Sequence, residues 1–394
     1  MWEEISFPDT LVENSVGRKN QINGSEILPF GKYPVIDQGQ DFIAGYCDDE
    51  TKLVKDELPL VIFGDHTRCF KFVDFPFILG ADGTKVLKPN SELFDSKFYY
   101  FALLSLDIQN RGYNRHFTLL KEKKVPKPEF DEQRRIAHVL ATVQATIEQQ
   151  ARLIALTREL KSALMRKLFT EGVPRPNRSQ RPVRSVETEI GLVPESWEVV
   201  KIGSIGKCVT GTTPKTAVKE YYSPAEYDFI GPADLGHTRD IYNSEKKISR
   251  NGLGVIRSLP KNAVMCVCIG SSIGKLGMTW REQSATNQQI NSVICNDKYN
   301  PKFVYYLLDY YSNYWRGFAT FGPVPILNKN RFEGIDIPVP SKLEEQDEIV
   351  ELLASLDSKF EFHDKKKTLL EELFRTLLHQ LMTGQVRVND LELI

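Results

Sequence analysis

Apolar residues recur at alternating spacings of four and three through two long stretches of the chain. In Asp131–Val173 they fall at Ile136, Leu140, Val143 and Ile147, and in Glu344–Val386 at Ile349, Leu353, Leu356 and Phe360. That period places them on one face of a helix, close to a heptad repeat. Farther along, Leu156, Leu160, Leu164 and Leu168 match Leu369, Leu373, Leu377 and Leu381. Neither stretch contains Pro, and each meets Gly only near its end (Gly172, Gly384), where Gly serves as a C-terminal stop. Pro-rich turns, VPKPEF (125–130) and IPVPSKL (337–343), precede them. The stretches align without a gap at an offset of 213 residues, with thirteen identities in 43 positions, so they are two copies of one segment. Each predicts a helix of about 40 residues, roughly 60 Å long at 1.5 Å per residue. One such helix cannot bury its stripe alone; two equivalent ones predict an antiparallel pair packed stripe on stripe.

The remaining blocks follow a different pattern. β-Branched and aromatic runs are broken by Gly, Pro and Asn, as in YPVIDQGQDFIAGY (33–46), LPLVIFG (58–64), FKFVDFPFILG (70–80), AVMCVCIG (263–270) and QQINSVIC (288–295). These predict short strands and turns. Both blocks open on Trp-Glu (Trp2, Trp197), and both carry a Lys-Phe before a helix-like aromatic run, SKFYYFALLSL (96–106) and PKFVYYLLDYY (301–311). The expected class is α+β. It comprises a mixed α/β domain at 1–130, a long helix at 131–172, a linker at 173–195, a second mixed domain at 196–342, a second long helix at 343–384 and a tail at 385–394. The helices form an antiparallel, coiled-coil-like pair within a pseudo-twofold repeat.

At 394 residues, 41% hydrophobic and 26% charged, the composition is that of a globular protein with room for two or three domains. No run approaches the roughly 18 apolar residues of a membrane span, and the first residues lack a signal-peptide pattern, so a cytoplasmic location without membrane contact is expected. The six cysteines form no CxxC pair, which favours reduced structural thiols over a zinc site. The formal net charge of −1 does not decide for or against nucleic acid, because distribution matters more than sum. The first helical copy is slightly basic, the second acidic, and PRPNRSQRPVRS (174–185) carries four Arg and no acid.

Catalytic patterns are missing. There is no Asn/Asp-Pro-Pro-aromatic methyltransferase loop, no HExxH and no GxSxG. GSSIGKL (270–276) is one residue short of a phosphate loop between its glycines and has Leu276 where the Mg-binding hydroxyl belongs, so it reads as a turn between strands. A nuclease's carboxylates, dispersed along the chain, would form no such local motif. What remains are polar loops in both blocks. FGDHTRCFKF brings His66, Arg68 and Lys71 beside aromatics, and NRGYNRHF clusters Arg111, Tyr113, Asn114, Arg115 and His116. VTGTTPKT offers Thr212 and Lys215, GSSIGKL offers Ser271 and Lys275, SATNQQIN offers Asn287, Gln288 and Gln289, and ILNKNRF offers Lys329 and Asn330. Arg and Lys suit phosphate and guanine, and Asn and Gln suit adenine edges. Each loop alone reads more readily as an ordinary solvated turn, and Asn287-Gln288-Gln289 equally as bonding within the fold. Their presence in both blocks favours DNA.

Taken together, these segments resemble the specificity subunit of Type I restriction–modification systems. The carriers are the helical copies with PxPxxxxEQ (Pro338, Pro340, Glu345, Gln346, and the one-residue-shorter Pro126, Pro128, Glu132, Gln133), GLVPESWEVVKIGSI (191–205), VTGTTPKTAVKEYY (209–222), GSSIGKLGM (270–278), ATNQQINSVI (285–294), YPVIDQGQDFIAGY and IFGDHTR. The resemblance implies two target-recognition domains, each reading half of a split site in double-stranded DNA. The helices would set the gap between the halves and bind two methylation subunits, which carry S-adenosylmethionine and flip and methylate adenine. Restriction and translocase subunits with ATP and Mg would join for cleavage, in defence against phage. The chain itself would hold no catalytic residue, cofactor or metal. A pseudo-twofold chain matches duplex symmetry, and half-sites one helical turn apart lie roughly 34 Å apart, within a helix's reach. The first block starts almost at residue 1, so an N-terminal arm is expected to be short or absent. Exposed apolar surface on the helices predicts poor solubility without partners.

Two other readings stay open from sequence. One is a scaffold assembled through its helix pair whose blocks bind protein or RNA. The other is a divergent methyltransferase or nuclease, for which S-adenosylmethionine binding by the isolated chain would be the sign.

Overall fold

A computed structural model describes residues 2–17, 20–81, 83–110, 112, 114–173, 185–320 and 322–388. The chain divides into two compact units, Met1–Leu153 with His363–Ile394, and Ile154–Phe362. Both long helices form as the apolar period predicts, Phe130–Glu171 and Leu343–Met382, and the division between units falls inside each of them. Each unit therefore contains one globular block, the beginning of the helix that follows it and the end of the other helix.

In the first unit the strand Leu60–Gly64 pairs antiparallel with Phe70–Val73 and with Thr84–Leu87. A second sheet runs Tyr33–Ile36 parallel to Ile78–Gly80, with Gly45–Cys47 antiparallel on its other side. Glu3–Ser6 pairs with Lys124–Lys127, the strand that leads into the long helix. The aromatic run forms the helix Ser96–Leu104, capped by Asp95, and buries Phe98, Tyr99 and Phe101 completely. The core joins these residues to Phe7, Val61, Phe63, Ile136 and Leu140, and to Leu381 and Met382 from the end of the second long helix.

The second unit repeats this plan in larger form. Val264–Val267 pairs with Leu276–Thr279 and with Ile290–Cys295, which also pairs with Gly206–Thr210. Tyr227–Ile230 runs parallel to Ser284–Thr286, and Trp197–Lys201 pairs with Asp336–Pro340 ahead of the second long helix. The helix Pro301–Tyr310, capped by Asn300, fills the place of Ser96–Leu104. Its core takes in Phe169 from the end of the first long helix, stacked on Tyr310 at 5.0 Å and edge-on to Trp197 at 6.0 Å.

Within each unit the two helical segments run antiparallel. In the first, His363 meets Gln150 at 2.8 Å while Arg387, just past the end of the second helix, grips Glu132 at the start of the first. In the second, Lys161 meets Asp357 at 2.6 Å and Arg158 lies over the ring of Phe360. Both helices stop at a glycine in the left-handed region, Gly172 (φ +75°) and Gly384 (φ +69°), where a side chain would be strained.

The described parts of the linker and tail are ordered. Within 185–195, Ser185–Thr188 and Gly191–Pro194 form an antiparallel hairpin. In the tail, Val388 is buried in the first core and Arg387 makes two 2.6 Å bonds to Glu132.

Candidate nucleic-acid interface

The polar loops of the first unit meet at the hairpin turn 65–69. The His66 N–H donates to Gln38 Oε1 (3.2 Å), and the Thr67 hydroxyl donates to the Gln38 carbonyl (2.5 Å). The Asp65 N–H bonds the Gly83 carbonyl (2.6 Å). Asp65 in turn accepts from the backbone N–H groups of His116 and Phe117, at its carbonyl (2.9 Å) and carboxylate (2.7 Å). Arg68 sits at φ +61°, uncommon for a residue with a Cβ, and its guanidinium donates to the Ile108 carbonyl (2.8 Å). Gln38, residues 65–69, Gly83, Ile108 and residues 114–117 thus converge on one rim. Asn114 and Arg115 are exposed on it, while His116 is buried with Nδ1 2.9 Å from the Asp65 carbonyl. Tyr113 and Arg111 lie outside the described residues.

Lys71 faces inward, contrary to its expected place at the DNA surface. Both faces of its strand are covered, and its ammonium reaches the Asp41 carbonyl (2.5 Å) and the Asp37 carboxylate (3.4 Å).

In the second unit the corresponding loops also converge. Thr212 N–H bonds the Thr286 carbonyl (3.0 Å), and the Thr213 hydroxyl donates to Gln288 Oε1 (2.7 Å). Gln289 reaches the Ile269 carbonyl (3.5 Å), and the Gly270 N–H donates to the Pro325 carbonyl (3.0 Å). Asn287 bonds Gln289 twice, through its amide to Oε1 and through its Oδ1 from the Gln289 N–H, both at 3.0 Å. Asn287 and Gln289 therefore shape the turn, as the bland reading of this motif held, and Gln288 is the exposed member. Lys215, Ser271, Lys329 and Asn330 are exposed; Thr212 and Lys275 are half-buried. Lys329 pairs with Glu333 one helical turn on, at 3.4 Å.

The two rims occupy equivalent places. Ala81 and Gly83 lie between the parallel strand Ile78–Gly80 and Thr84–Leu87, as the turn 287–289 lies between Ser284–Thr286 and Ile290–Cys295. The hairpin turn 65–69 corresponds to 268–275, so GSSIGKL is a turn between strands.

Gln38, Arg257 and Arg316, which no sequence motif marks, also join the rims. Gln38 braces the first rim from 28 residues away. Exposed Arg257 donates to the Thr210 carbonyl (2.8 Å), and exposed Arg316 covers Gly274. Each of the three joins its rim through contacts distant in sequence.

Other polar features are structural. A cavity of about 300 Å³ beside the helical segments of the second unit is lined by Lys161, His237, Arg239 and Asp357 among others. Its main charges are paired internally: Lys161 with Asp357 at 2.6 Å, Arg239 with Asp240 at 2.6 Å, and Tyr306 donating to Asp357 at 2.6 Å. Burial pushes the thiols of Cys208, Cys268 and Cys295 up to about 12, far from the reactive thiolate range. Among the described residues no group of three or more His, Cys, Asp or Glu is placed to hold a metal, and no helix is long and apolar enough to cross a membrane.

Two blocks of one topology, each offering polar loops at the same strand ends, define a chain built from an internal repeat. The chain belongs to the Type I restriction modification DNA specificity domain family, which it matches over residues 13–158 and 194–372. It is accordingly a DNA-recognition chain of a Type I restriction–modification system and a non-catalytic component of it. It is 24% identical over 419 residues to the Type I restriction enzyme MjaVIII specificity subunit of Methanocaldococcus jannaschii, covering 99% of this chain and 94% of that one. To the EcoR124I/EcoR124II specificity subunit of Escherichia coli it is 24% identical over 336 residues, 82% of this chain and 79% of that one. The fold is shared with the crystal structure of the Type I system S subunit from M. genitalium, at a TM-score of 0.65, 18% identity and coverage of 97% and 96%.

Proposed function

We propose that each unit reads one half of a bipartite site in double-stranded DNA through its rim, and that the paired helices fix the gap between the halves and dock two methylation subunits. The repetition of the rim supports this reading: loops at topologically equivalent strand ends carry amide, hydroxyl and basic side chains in both blocks. Arg115 and Lys215 face solvent and suit phosphate, while Asn114 and Gln288 suit base edges. Different side chains on the two rims fit different half-site sequences.

The helices carry a second repetition. Leu156 and Leu160 are exposed, as are Leu369 and Leu373 at the same positions of the other copy. Pairs of leucines one turn apart, left to solvent at equivalent places, fit two identical partner chains. Those partners would hold S-adenosylmethionine and methylate adenine, and restriction subunits would bring ATP and Mg. Genome-wide mapping of methylated adenine, with and without this chain, tests the reading. Loss of one two-part motif with a fixed gap is the expected result; an unchanged map from a cell whose methylation subunit is expressed would refute it.

A further inference from the structure

The loop 38–43 of the first unit carries features that phosphate binding does not explain. It leaves the strand Tyr33–Ile36 and returns in Gly45–Cys47, and at its tip Phe42 is 45% and Ile43 37% exposed. Two adjacent large apolar side chains facing water on a loop are costly unless something covers them. The Phe42 ring meets Phe75 edge-to-face, with centroids 6.0 Å apart. The same tip carries exposed Gln40 and Asp41. The Asp41 carboxylate repels phosphate, so a DNA backbone contact is disfavoured here. A carboxylate, an amide and two apolar groups are instead what base edges accept: cytosine N4 donates to a carboxylate, and thymine offers a methyl group.

The loop is held in place from beneath. Lys71 is 5% exposed, and its ammonium bonds the Asp41 carbonyl (2.5 Å) and the Asp37 carboxylate (3.4 Å). Asp37 also accepts from the Gly39 N–H (2.8 Å), and Gln38 bonds His66 and Thr67 of the rim. A buried ammonium spent on a surface loop fixes that loop's position relative to the rim it adjoins. Continuity with the rim identifies the occupant as the same DNA.

Resting on the proposed half-site reading, we infer that the 38–43 loop is an apolar base-contacting tip of the first domain. Phe42 and Ile43 act as specificity-determining residues and Lys71 as the positioning residue that sets them. The tip enters a groove and packs on base edges while Arg115 and its neighbours hold the backbone.

The test uses the complex of the full chain with its methylation subunits, carrying Phe42→Ser with Ile43→Ser in one variant and Lys71→Met in another. Methylated motifs are mapped, and binding is measured on duplexes altered in one half-site at a time. Expected for the serine variant is an intact complex, roughly tenfold weaker binding and relaxed discrimination in one half only, the scale of one lost base contact. Lys71→Met should relax the same half, and restoring the charge with Lys71→Arg should recover part of it. Unchanged motif and affinity in the serine variant, with the native complex active, would overturn the inference alone. Loss of complex assembly in that variant would overturn it too, by making the tip a protein contact. A native complex that methylates no two-part site would instead defeat the half-site reading.

Discussion

Gln133 and Gln346 make the same three hydrogen bonds in two different units. Gln133 donates to the Leu93 and Pro128 carbonyls (3.0 and 2.9 Å) and accepts from the Asp95 N–H (2.8 Å). Gln346 donates to the Lys298 and Pro340 carbonyls (3.2 and 3.5 Å) and accepts from the Asn300 N–H (2.8 Å). Asp95 and Asn300 are the caps of the two aromatic helices, and Pro128 and Pro340 end the approach to the two long ones. One buried amide therefore fixes the angle between a block and the helix leaving it.

Replacing either glutamine by leucine keeps its bulk and strands a buried N–H and two carbonyls. Each such variant should lose about 2–3 kcal/mol, the scale of unsatisfied buried polar groups. Urea unfolding followed by fluorescence would read the loss, and a change within about 0.5 kcal/mol would show the ties to be dispensable.

Arg115 and Lys215 are exposed and basic, one on each rim. If both face phosphate, Arg115→Ala and Lys215→Ala should each weaken DNA binding by the assembled complex and lower the slope of log K against log salt by about one. Weaker binding at every salt concentration with an unchanged slope would assign them another role.

Leu160→Asp and Leu373→Asp place a charge on the equivalent exposed positions of the two helices. Each single variant should retain one methylation subunit and the double variant none, as weighed by native mass spectrometry. Full assembly of the double variant would remove these leucines from the docking face. Little effect on stability is expected, because neither side chain is buried.

Asp309, on the aromatic helix of the second unit, has its carboxyl raised above 3.8 by burial, with Asp357 adding to the effect and Lys161 opposing it. The folded state thus holds this proton more tightly than the unfolded chain does. Its penalty is full above the folded value and fades as pH falls toward 3.8. Asp309→Asn should therefore stabilise the protein at pH 7, with the gain shrinking near pH 4. A gain independent of pH would trace to packing instead.

The long helices were legible because the three-four spacing from Ile136 to Ile147 and from Ile349 to Phe360 needs no partner to be seen. The aromatic helices were legible as uninterrupted aromatic and aliphatic runs that follow a Lys-Phe in both blocks. Lys71 was not. Strand alternation orients a side chain only where one face meets water, and here Phe70 and Phe72 pack on Phe63 and Tyr100 while Lys71 and Val73 face a second layer. Gln38, Arg257 and Arg316 were illegible because each acts across 28 or more residues of chain. The same holds for the assembly of each unit from the head of one helix and the tail of the other: two copies of a repeat look alike, whichever block each end packs against.

That last feature bears on synthesis. The first unit needs residues 363–388, with Leu381, Met382 and Val388 in its core, whereas the second is complete once Phe362 has emerged. At about 5–20 residues per second, the block made first waits on the order of ten to fifty seconds for its closing segment. Throughout that time the apolar face around Ile136 and Leu140 lacks its cover. The half of the protein translated first is thus the half that finishes folding last, and a ribosome stalled between the two helices would hold a nascent chain whose first unit is unfinished and sticky.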